Sequence, residues 1–411
     1  MLVPKLRFKR EDGTDYPEWK EKALQDCTLF IKDGTHGTHK NAKTGYYLLS
    51  AKDVYGGIIH KPNDSRLISQ DDFNSIYKQY SLSVGDVILT IVGTLGRTAI
   101  VTENDVSIAF QRSVAIIRPN KETNSRYLQY VMESNRFQNE LETRKSRGAQ
   151  AGVYLGTLSE IFVPSPHKEE QQKIADFLST VDEVIAQSEA EVQNLEQQKK
   201  AAMQKIFSQE ARFKREDGTE YPEWKMDSLK NLCDYTDYRG KTPTKTESGI
   251  FLITAKNIKQ GYIDYDTSKE YIAESDYDNV MHRGLPQIGD VLITTEAPCG
   301  NIAQIDRENV ALAQRVIKYR GRKEILSNDY LCFALQSDYF QDELDKKATG
   351  GTVKGIKGSV LHTLSIFVPC LEEQRKIADF LSAYDEAISY AKQELEHWKQ
   401  LKKGLLQQMF V

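Results

Sequence analysis

The sequence has no apolar run that approaches the roughly 20 residues needed to cross a bilayer. Its opening, MLVPKLRFKRED, lacks the apolar core of a secretory signal. The five cysteines are scattered, odd in number and never spaced as CxxC, which fits reduced thiols and gives no zinc framework. These absences predict a cytoplasmic protein with no membrane partner.

Motifs of the common enzyme classes are also missing. Gly240-Lys241-Thr242 matches the end of a phosphate-binding loop, but Tyr235 stands where the first glycine of that loop belongs. The Asn-Pro-Pro-aromatic or Asp-Pro-Pro-aromatic tetrapeptide of base-modifying methyltransferases does not occur, and no GxSxG nucleophile elbow is present. We therefore expect no catalytic site on this chain.

Two short patterns imitate metal sites. His36 and His39 have HxxH spacing, but no third ligand lies near them in sequence, so a polar loop is the better interpretation. Asp12 or Asp15 followed by Glu18-Trp19-Lys20 imitates the carboxylate core of Mg-dependent nucleases, which sits on buried apolar strands. The flanking residues here are Gly, Thr, Tyr and Pro, which favours a surface segment. No metal site is predicted.

An internal repeat dominates the sequence. RFKREDGTDYPEWK at 7–20 returns with one change as RFKREDGTEYPEWK at 212–225, and EEQQKIADFLSTVDEVI at 169–185 returns as EEQRKIADFLSAYDEAI at 372–388. The period of 205 residues (212 − 7) is too long for a solenoid or propeller repeat, so one unit is used twice. The predicted domains are an N-terminal tag (1–20), a first body (21–168), a central helix (169–211), a second tag (212–225), a second body (226–371) and a C-terminal helix (372–411).

The two bodies have diverged except for a skeleton, in which GDVILT, FQRSV and EIFVP return as GDVLIT, AQRVI and SIFVP. Strands are predicted at Tyr46–Leu49, Val87–Val92 and Ser113–Ile117, because these runs are bounded by Gly, Asn and Asp. Helical stretches are predicted at Tyr127–Leu141 and Tyr330–Leu344. The fold class is therefore α/β, with two mixed α/β domains in a pseudo-two-fold repeat.

Each body is followed by a long helix whose apolar positions alternate in steps of four and three residues. The 3.5-residue period is typical of a coiled-coil seam. The predicted seam comprises Ile174, Leu178, Val181, Ile185, Ser188, Val192, Leu195, Lys199, Ala202 and Ile206, and then Ile377, Leu381, Tyr384, Ile388, Ala391, Leu395, Trp398, Lys402, Leu405 and Met409. Lys199 and Lys402 interrupt the seam at matching places, where a charged side chain can specify register.

Two arrangements of these helices are open. Each helix could pack separately on its own body, or the two could pair with each other and so bury both apolar stripes. We expect the pair, antiparallel, with helices about 58 Å long. Because equivalent seam positions carry similar residues, a first half ending near Gln209 is also expected to self-associate through its exposed stripe.

Charge is segregated along the chain. The first body carries 18 Lys and Arg against 15 Asp and Glu, whereas residues 169–200 carry 3 against 8. Basic residues of the bodies cluster in loops with small polar residues, where they could neutralise phosphates or contact base edges, although a solvated loop is the alternative for each cluster. The candidate DNA-binding residues are Thr35, His36, Lys40, Lys43, Arg97, Gln111, Arg112, Arg144, Lys145, Arg147, Arg239, Lys241, Thr242, Lys245, Gln314, Arg315, Lys346, Lys347, Lys354 and Lys357.

The order tag, body, helix, given twice and closed each time by EEQxKIADFLS, resembles the specificity subunit of type I restriction-modification enzymes. The KDGTHGTHK and YRGKTPTK loop openings and the QRS-type strand are similar to that family as well. The resemblance implies that each body is a target-recognition domain reading one half of a split double-stranded DNA site. It also implies that the paired helices set the spacing and dock two modification (methyltransferase) subunits, with restriction subunits joining the complex.

The resemblance places catalysis elsewhere. No cofactor is expected on this chain, while S-adenosylmethionine, ATP and Mg are expected on the partner subunits. Two alternatives from other classes stay open at this point: a DNA nuclease or methyltransferase in its own right, and a coiled-coil scaffold that binds only proteins.

Overall fold

The computed structural model describes residues 4–146, 151–238, 242–351 and 353–410. The chain divides into two compact units, of which the first comprises Met1–Glu189 with Gln393–Val411 and the second comprises Ala190–Lys392. Each unit therefore holds one body, the beginning of one long helix and the end of the other. Within the described residues, no helix is both long and apolar enough to cross a membrane.

The first body is built on a sheet of strand order β2-β10-β7-β8, with a smaller sheet β6-β3-β9, a hairpin β4-β5 and a pair β1-β11. The elements of the first half of the chain are β1 (Lys20–Ala23), β2 (Thr28–Asp33), β3 (Tyr46–Leu49), β4 (Val54–Tyr55), β5 (Ile58–Ile59), β6 (Leu67–Ile68), α1 (Gln70–Ile76), β7 (Val87–Thr90), β8 (Thr98–Ile100), β9 (Ala109–Phe110), β10 (Val114–Pro119), α2 (Ser125–Glu133), α3 (Asn135–Thr143), α4 (Leu155–Ser159), β11 (Phe162–Ser165) and the long helix α5 (Lys168–Phe207).

The second body repeats this plan, with sheets β13-β20-β17-β18 and β14-β16-β15-β19 and a pair β12-β21. Its elements are β12 (Lys225–Ser228), α6 (Leu229–Leu232), β13 (Cys233–Asp237), β14 (Lys245–Thr246), β15 (Ile250–Ile253), β16 (Tyr271–Ile272), α7 (Tyr277–Val280), β17 (Val291–Thr295), β18 (Cys299–Gln304), β19 (Val310–Leu312), β20 (Val316–Gly321), α8 (Asn328–Gln336), α9 (Asp338–Lys347), α10 (Gly358–Leu361), β21 (Ser365–Val368) and the long helix α11 (Leu371–Met409). Short 3-10 turns lie at Leu24–Cys27, Ala51–Asp53, Glu103–Asp105 and Glu274–Asp276.

The repeated GDV sequence explains why the main sheets share one geometry. Gly85 has φ +89°, a conformation that favours glycine, and starts the turn into β7. Asp86 follows it, is 1% exposed, and accepts two hydrogen bonds from the guanidinium of Arg118 on β10 at 2.7 and 2.8 Å. Asp290 and Arg320 form the same pair in the second body at 2.6 and 2.7 Å. A buried carboxylate so paired fixes the central strands to each other.

The predicted strands are confirmed as β3, β7 and β10, but the helical stretches are each two helices rather than one. The break in the first body falls at Ser134, whose backbone is extended at φ −64° and ψ 147°. Its hydroxyl donates to the carbonyl oxygen of Val131 at 2.6 Å and accepts from the amide of Phe137. Ser337 makes the same break between α8 and α9. A serine that caps a new helix in this way stops the preceding one.

The long helices pair as antiparallel partners within each unit, so the predicted arrangement is confirmed. In the first unit the Lys402 ammonium lies 2.8 Å from Asp182, and that of Lys399 lies 2.7 Å from Glu189. Residue numbers rise along α5 while they fall along α11, which defines opposite directions. In the second unit, Lys199 pairs with Asp385 at 2.5 Å and Lys392 with Glu196 at 2.6 Å. The positions predicted to form the seam are buried or partly buried along both helices.

Candidate nucleic-acid interface

Several loops of the first body meet at one edge of its main sheet. Strand β10 is antiparallel to both β2 and β7, so its beginning lies beside the ends of those two strands. The turn from β7 to β8 lies at the same edge, since β7 and β8 are also antiparallel. We call the segments 34–36, 91–97, 111–113 and 151–154 the loop edge of the first body.

The first contacts of the loop edge join two of the predicted segments. The amide of Thr35 donates to the carbonyl oxygen of Phe110 at 2.8 Å, and the amide of Arg112 donates to the carbonyl oxygen of Thr35 at 3.1 Å. This close approach requires Gly34, where a β-carbon would lie 2.1 Å from the oxygen of Phe110. Thr35 is thus brought next to Gln111 and Arg112, which are distant from it in sequence.

A further segment closes over the end of β7. The amide of Val153 donates to the carbonyl oxygen of Ile91 at 2.9 Å, and Gly152 bridges to Val92. Arg144 and Lys145, at the end of α3, lead into this segment, and each forms an ion pair on its own helix, with Glu140 at 2.9 Å and Glu142 at 2.8 Å. Arg147 lies outside the described residues.

The remaining candidates of the first body differ in position. Arg97 is at the loop edge, half-buried, with its guanidinium 6.0 Å from the ring centre of the exposed Tyr55. It also donates to the carbonyl oxygen of Val54 at 3.4 Å. Lys40 and Lys43 are exposed on the loop that precedes β3. Arg97 is therefore both a support for the β4 hairpin and an available cation.

The two loop histidines bond to protein groups. The Nε2 atom of His36 lies 2.6 Å from a carboxylate oxygen of Asp33, while His39 contacts Thr35 at 2.8 Å and Asp72 at 3.0 Å. The hydrogen bond with His39 lowers the pKa of the Asp72 carboxyl. Among residues that the structure describes, no group of histidine, cysteine and acidic side chains could hold a metal ion.

The second body has an equivalent loop edge. The amide of Ile356 donates to the carbonyl oxygen of Thr295 at 2.9 Å, as Val153 does to Ile91, and the side chain of Gln314 donates to Thr242 at 2.9 Å. We define this edge by 242–245, 295–301, 313–315 and 353–357. Arg239 and Lys241 fall outside the described residues.

An open pocket of about 270 Å³ lies on the second loop edge. It is lined by Lys245, Lys256 and Arg315 together with Glu270 and Ala297. Lys245 lies 2.7 Å from Glu270, while Arg315 reaches its nearest carboxylate, on the β17–β18 turn, only at 3.6 Å. The pocket therefore presents two cations, Lys245 and Arg315, that are about half-exposed and lie beside acidic neighbours, together with the exposed Lys256.

The other basic candidates of the second body lie on α9 and the segment after it. Lys346 pairs with Glu343 at 2.8 Å and Lys354 with Asp345 at 2.6 Å, whereas Lys347 and Lys357 are exposed.

Three positions in or beside the loop edges were missed by sequence reasoning. Lys52 follows β3, which pairs in parallel with β9, and Lys256 follows β15, which pairs in parallel with β19. Strands β9 and β19 lead into the loops that carry the Gln-Arg sequence of each body. Both lysines are exposed, and the repeated AKD and AKN sequences would have revealed them. Tyr154, which is 73% exposed, occupies the place of Lys357 just before the short helix α4. The edges thus offer cations, amides and one aromatic ring.

A second duplicated surface joins each tag to the beginning of a long helix. Glu170 is fully buried and receives hydrogen bonds from Arg7, at 2.8 and 3.0 Å, and from the indole of Trp19 at 3.0 Å. Arg7 also donates to the carbonyl oxygens of Tyr16 and Pro17 at 3.3 and 2.9 Å. The hydrogen bond to Glu170 raises the pKa of Arg7. We call the tag with the first turns of its helix the tag surface.

The second tag surface repeats these contacts. Arg212 donates to Glu373 at 2.9 and 3.2 Å, and Trp224 donates to the same carboxylate at 2.9 Å. On its outer side, Phe213 packs edge-on against Phe380 at 5.6 Å, as Phe8 does against Phe177. Both helix phenylalanines stay more than a third exposed, at 37% and 40%.

The glutamine that follows the buried glutamate in each long helix attaches the body to that helix. The buried amide of Gln171 accepts from the backbone of Asn124 at 2.9 Å and donates to the carbonyl oxygens of Glu122 and Pro166. Gln374 makes the same set in the second unit, with Ser327, Ile325 and Pro369. The sequence EEQ therefore serves both the tag and the body.

Comparison with known proteins matches both halves of this arrangement. The model of the type I restriction modification DNA specificity domain matches residues 17–197 and again residues 221–399. The chain belongs to this family. It is accordingly a DNA specificity subunit, and catalysis lies in other subunits, so neither a nuclease or methyltransferase in its own right nor a protein-only scaffold is favoured.

Members of the family resemble the chain over nearly its whole length. The putative type I restriction enzyme MjaX specificity subunit of Methanocaldococcus jannaschii is 24% identical and matched over 97% of this chain and 94% of its own length. The MjaVIII specificity subunit of the same organism is 26% identical with the same coverage. The S subunit of M. genitalium shares the fold, with a TM-score of 0.59 over 100% of this chain and 99% of that one at 15% identity.

Proposed function

We propose that each body reads one half of a bipartite, asymmetric DNA site through its loop edge, the first within residues 21–168 and the second within 226–371. One observation carries the proposal. Both loop edges rest on the same backbone contact, Val153 to Ile91 and Ile356 to Thr295, each at 2.9 Å, while their exposed side chains differ. A shared backbone geometry that carries different side chains suits two domains that recognise different DNA sequences.

The side chains of the loop edges suit both phosphate binding and base recognition. Arg112 and Arg315 occupy the same place in both bodies, and lysines such as Lys52 and Lys256 follow equivalent strands; such cations can neutralise phosphates and position the duplex. Gln111 and its counterpart Gln314 can pair with an adenine edge in the major groove, as arginine can with guanine. Positions that differ, such as Tyr154 against Lys357, are suited to specify the half-site.

The tag surfaces are suited to the other partners. Two nearly identical surfaces on one chain can bind two copies of one protein, and we propose that these are the modification subunits, with restriction subunits joining the complex. Phe177 and Phe380, exposed beside the tags, would be apolar anchors. S-adenosylmethionine, ATP and Mg would be bound by those partners.

An exchange of bodies tests the proposal. Replacing residues 226–371 by the second body of another family member should change one half of the methylated sequence only, as read by sequencing the methylated DNA of a host that carries the complex. Replacing them by a second copy of residues 21–168 is the matched control, and should give two copies of the first half-site. A change in both halves in the first experiment would refute independent reading, and failure to bind duplex oligonucleotides at low salt would favour a scaffold.

A further inference from the structure

The long helices carry ion pairs of two kinds, which become evident when equivalent positions are compared. The repeat offset is 203 residues (372 − 169), so Asp182 corresponds to Asp385 and Lys199 to Lys402. By the same offset, a Glu on α5 corresponds to a Lys on α11 at two positions: Glu189 to Lys392, and Glu196 to Lys399.

The Lys–Asp pairs do not distinguish one helix from the other. Lys402 lies 2.8 Å from Asp182 in the first unit, and Lys199 lies 2.5 Å from Asp385 in the second. If α5 of a second copy took the place of α11, Lys199 of that copy would stand where Lys402 stands. The contact with Asp182 would be kept. These pairs therefore specify register and not partner.

The Glu–Lys pairs behave in the opposite way. Glu189 lies 2.7 Å from Lys399, and Glu196 lies 2.6 Å from Lys392. Substituting a second α5 for α11 would bring Glu196 of that copy to the place of Lys399, directly beside Glu189. Two α11 helices would bring Lys392 against Lys399. Every Glu–Lys attraction becomes a repulsion between like charges when a helix pairs with its own kind.

We propose that these four residues make each long helix select the other and reject its own equivalent in another copy. The apolar seam discriminates less, because most of its equivalent positions, such as Ile174 with Ile377 and Leu178 with Leu381, carry the same or similar residues. On its own it would let like helices associate, as expected above for a first half ending near Gln209, and the Glu–Lys pairs oppose that association. Two separate chains contain four Glu–Lys pairs, and exchange of both helices would replace them by two Glu–Glu and two Lys–Lys contacts. Each side chain is about half-exposed, 44–52%, so one pair contributes little and the set decides.

This choice of partner is separate from the proposed reading of DNA, and can be tested on the full-length chain without DNA. The variant E196K/K399E leaves the net charge unchanged. Within a chain it sets Glu189 against a second carboxylate and Lys392 against a second ammonium, so both contacts become repulsive. Between like helices of two copies, all four contacts become attractive. Sedimentation should show the wild-type chain as a monomer, with the variant self-associating at a concentration at least about tenfold lower.

Two further variants keep the test decisive. The fourfold exchange E189K/E196K/K392E/K399E restores opposite charges within a chain and should return to the behaviour of the wild type, which excludes simple misfolding as the cause. E191K/K403E, at exposed positions outside the pairs, should behave as the wild type. The association of E196K/K399E should fade in roughly 1 M salt, where the screening length is about 3 Å. A monomeric E196K/K399E chain, or a fourfold variant that associates as strongly, would overturn the proposal.

Discussion

Replacing Arg212 by alanine would remove the main partner of a fully buried carboxylate. Glu373 is 0% exposed and takes two hydrogen bonds from Arg212, whose side chain is only 14% exposed, and one from Trp224. The same guanidinium donates to the backbone of Tyr221 and Pro222, so it ties the tag to the helix. The hydrogen bond to Glu373 raises the pKa of Arg212, as expected for a charge held in its ionised form.

The cost follows from the burial of the partner. Breaking one side of a buried ion pair costs about 3–5 kcal/mol, because the other charge is left without compensation. Since each 1.4 kcal/mol is about a factor of ten, the second tag in R212A should open roughly a hundredfold or more often. Amide hydrogen exchange measured by mass spectrometry reports this opening for residues 212–225. Residues 7–20 of the same molecule, nearly identical in sequence, are the internal reference.

Two variants sharpen the measurement. R215A removes a partly exposed guanidinium of the same tag, which donates to the carbonyl oxygen of Glu220 and lies 5.1 Å from the ring centre of Tyr221 but contacts no buried carboxylate among the described residues, and it should change exchange far less than R212A does. R212A/E373Q removes the uncompensated charge and should recover much of the protection. Unchanged exchange in R212A, or no recovery in the double variant, would refute the role given to the buried carboxylate.

Two further predictions concern the bodies. R144A/K145A should weaken binding to all duplexes and lower the salt slope by about 0.9 for each phosphate that is no longer neutralised; if one of the two side chains reads a base, discrimination at one base position should relax by about 1–3 kcal/mol. Fluorescence anisotropy over a salt series measures both quantities, and K121A, at the other end of β10, is the control. No effect on either would mean that the two side chains serve only in their ion pairs with Glu140 and Glu142. K318I should stabilise the second body by up to about 1 kcal/mol at pH 7. Burial lowers the pKa of Lys318 although Asp290 acts to raise it, so the charged side chain is disfavoured in the folded protein. The equivalent residue of β10 in the first body is the apolar Ile116. The wild type, whose folded lysine binds fewer protons, should gain stability as pH rises through the lowered folded pKa toward the unfolded lysine pKa of about 10.4. The advantage of K318I in melting temperature should therefore shrink over that range, and a loss of more than about 2 kcal/mol in K318I would contradict the prediction.

The elements with local signals were predictable. The 3.5-residue period predicted both long helices, and the strand at Tyr46–Leu49 was bounded correctly by its turn residues. The breaks at Ser134 and Ser337 were not predicted, because apolar periodicity continues through them and only the serine hydroxyl ends the helix. Two-residue strands such as β9 carry no periodicity and exist through pairing with distant partners.

The candidate site was predictable only in part for the same reason. The QR sequence, which recurs in both bodies, marked loops that the structure brings to the two loop edges. Lys52 was not predicted, because it comes to lie beside the loop edge only through the pairing of β3 with β9, which is a long-range contact. Asn301 occupies in the second body the position that Arg97 occupies in the first. Arg97 donates to the carbonyl oxygen of Val54 and Asn301 to that of Ile258, a structural role that composition does not reveal.

The glutamine that fastens each body has an evolutionary consequence. Among the residues that the structure describes, the side chain of Gln171 bonds to backbone groups of the body and of the segment leading to the helix, and so does that of Gln374. A backbone group is present whatever the side chain, so mutation of the body's sequence leaves this attachment intact. Selection can therefore change the DNA sequence that a body recognises without changing the attachment of the body to the long helix. A lineage could acquire a new specificity by drift or by replacement of the whole body, with the joint unchanged.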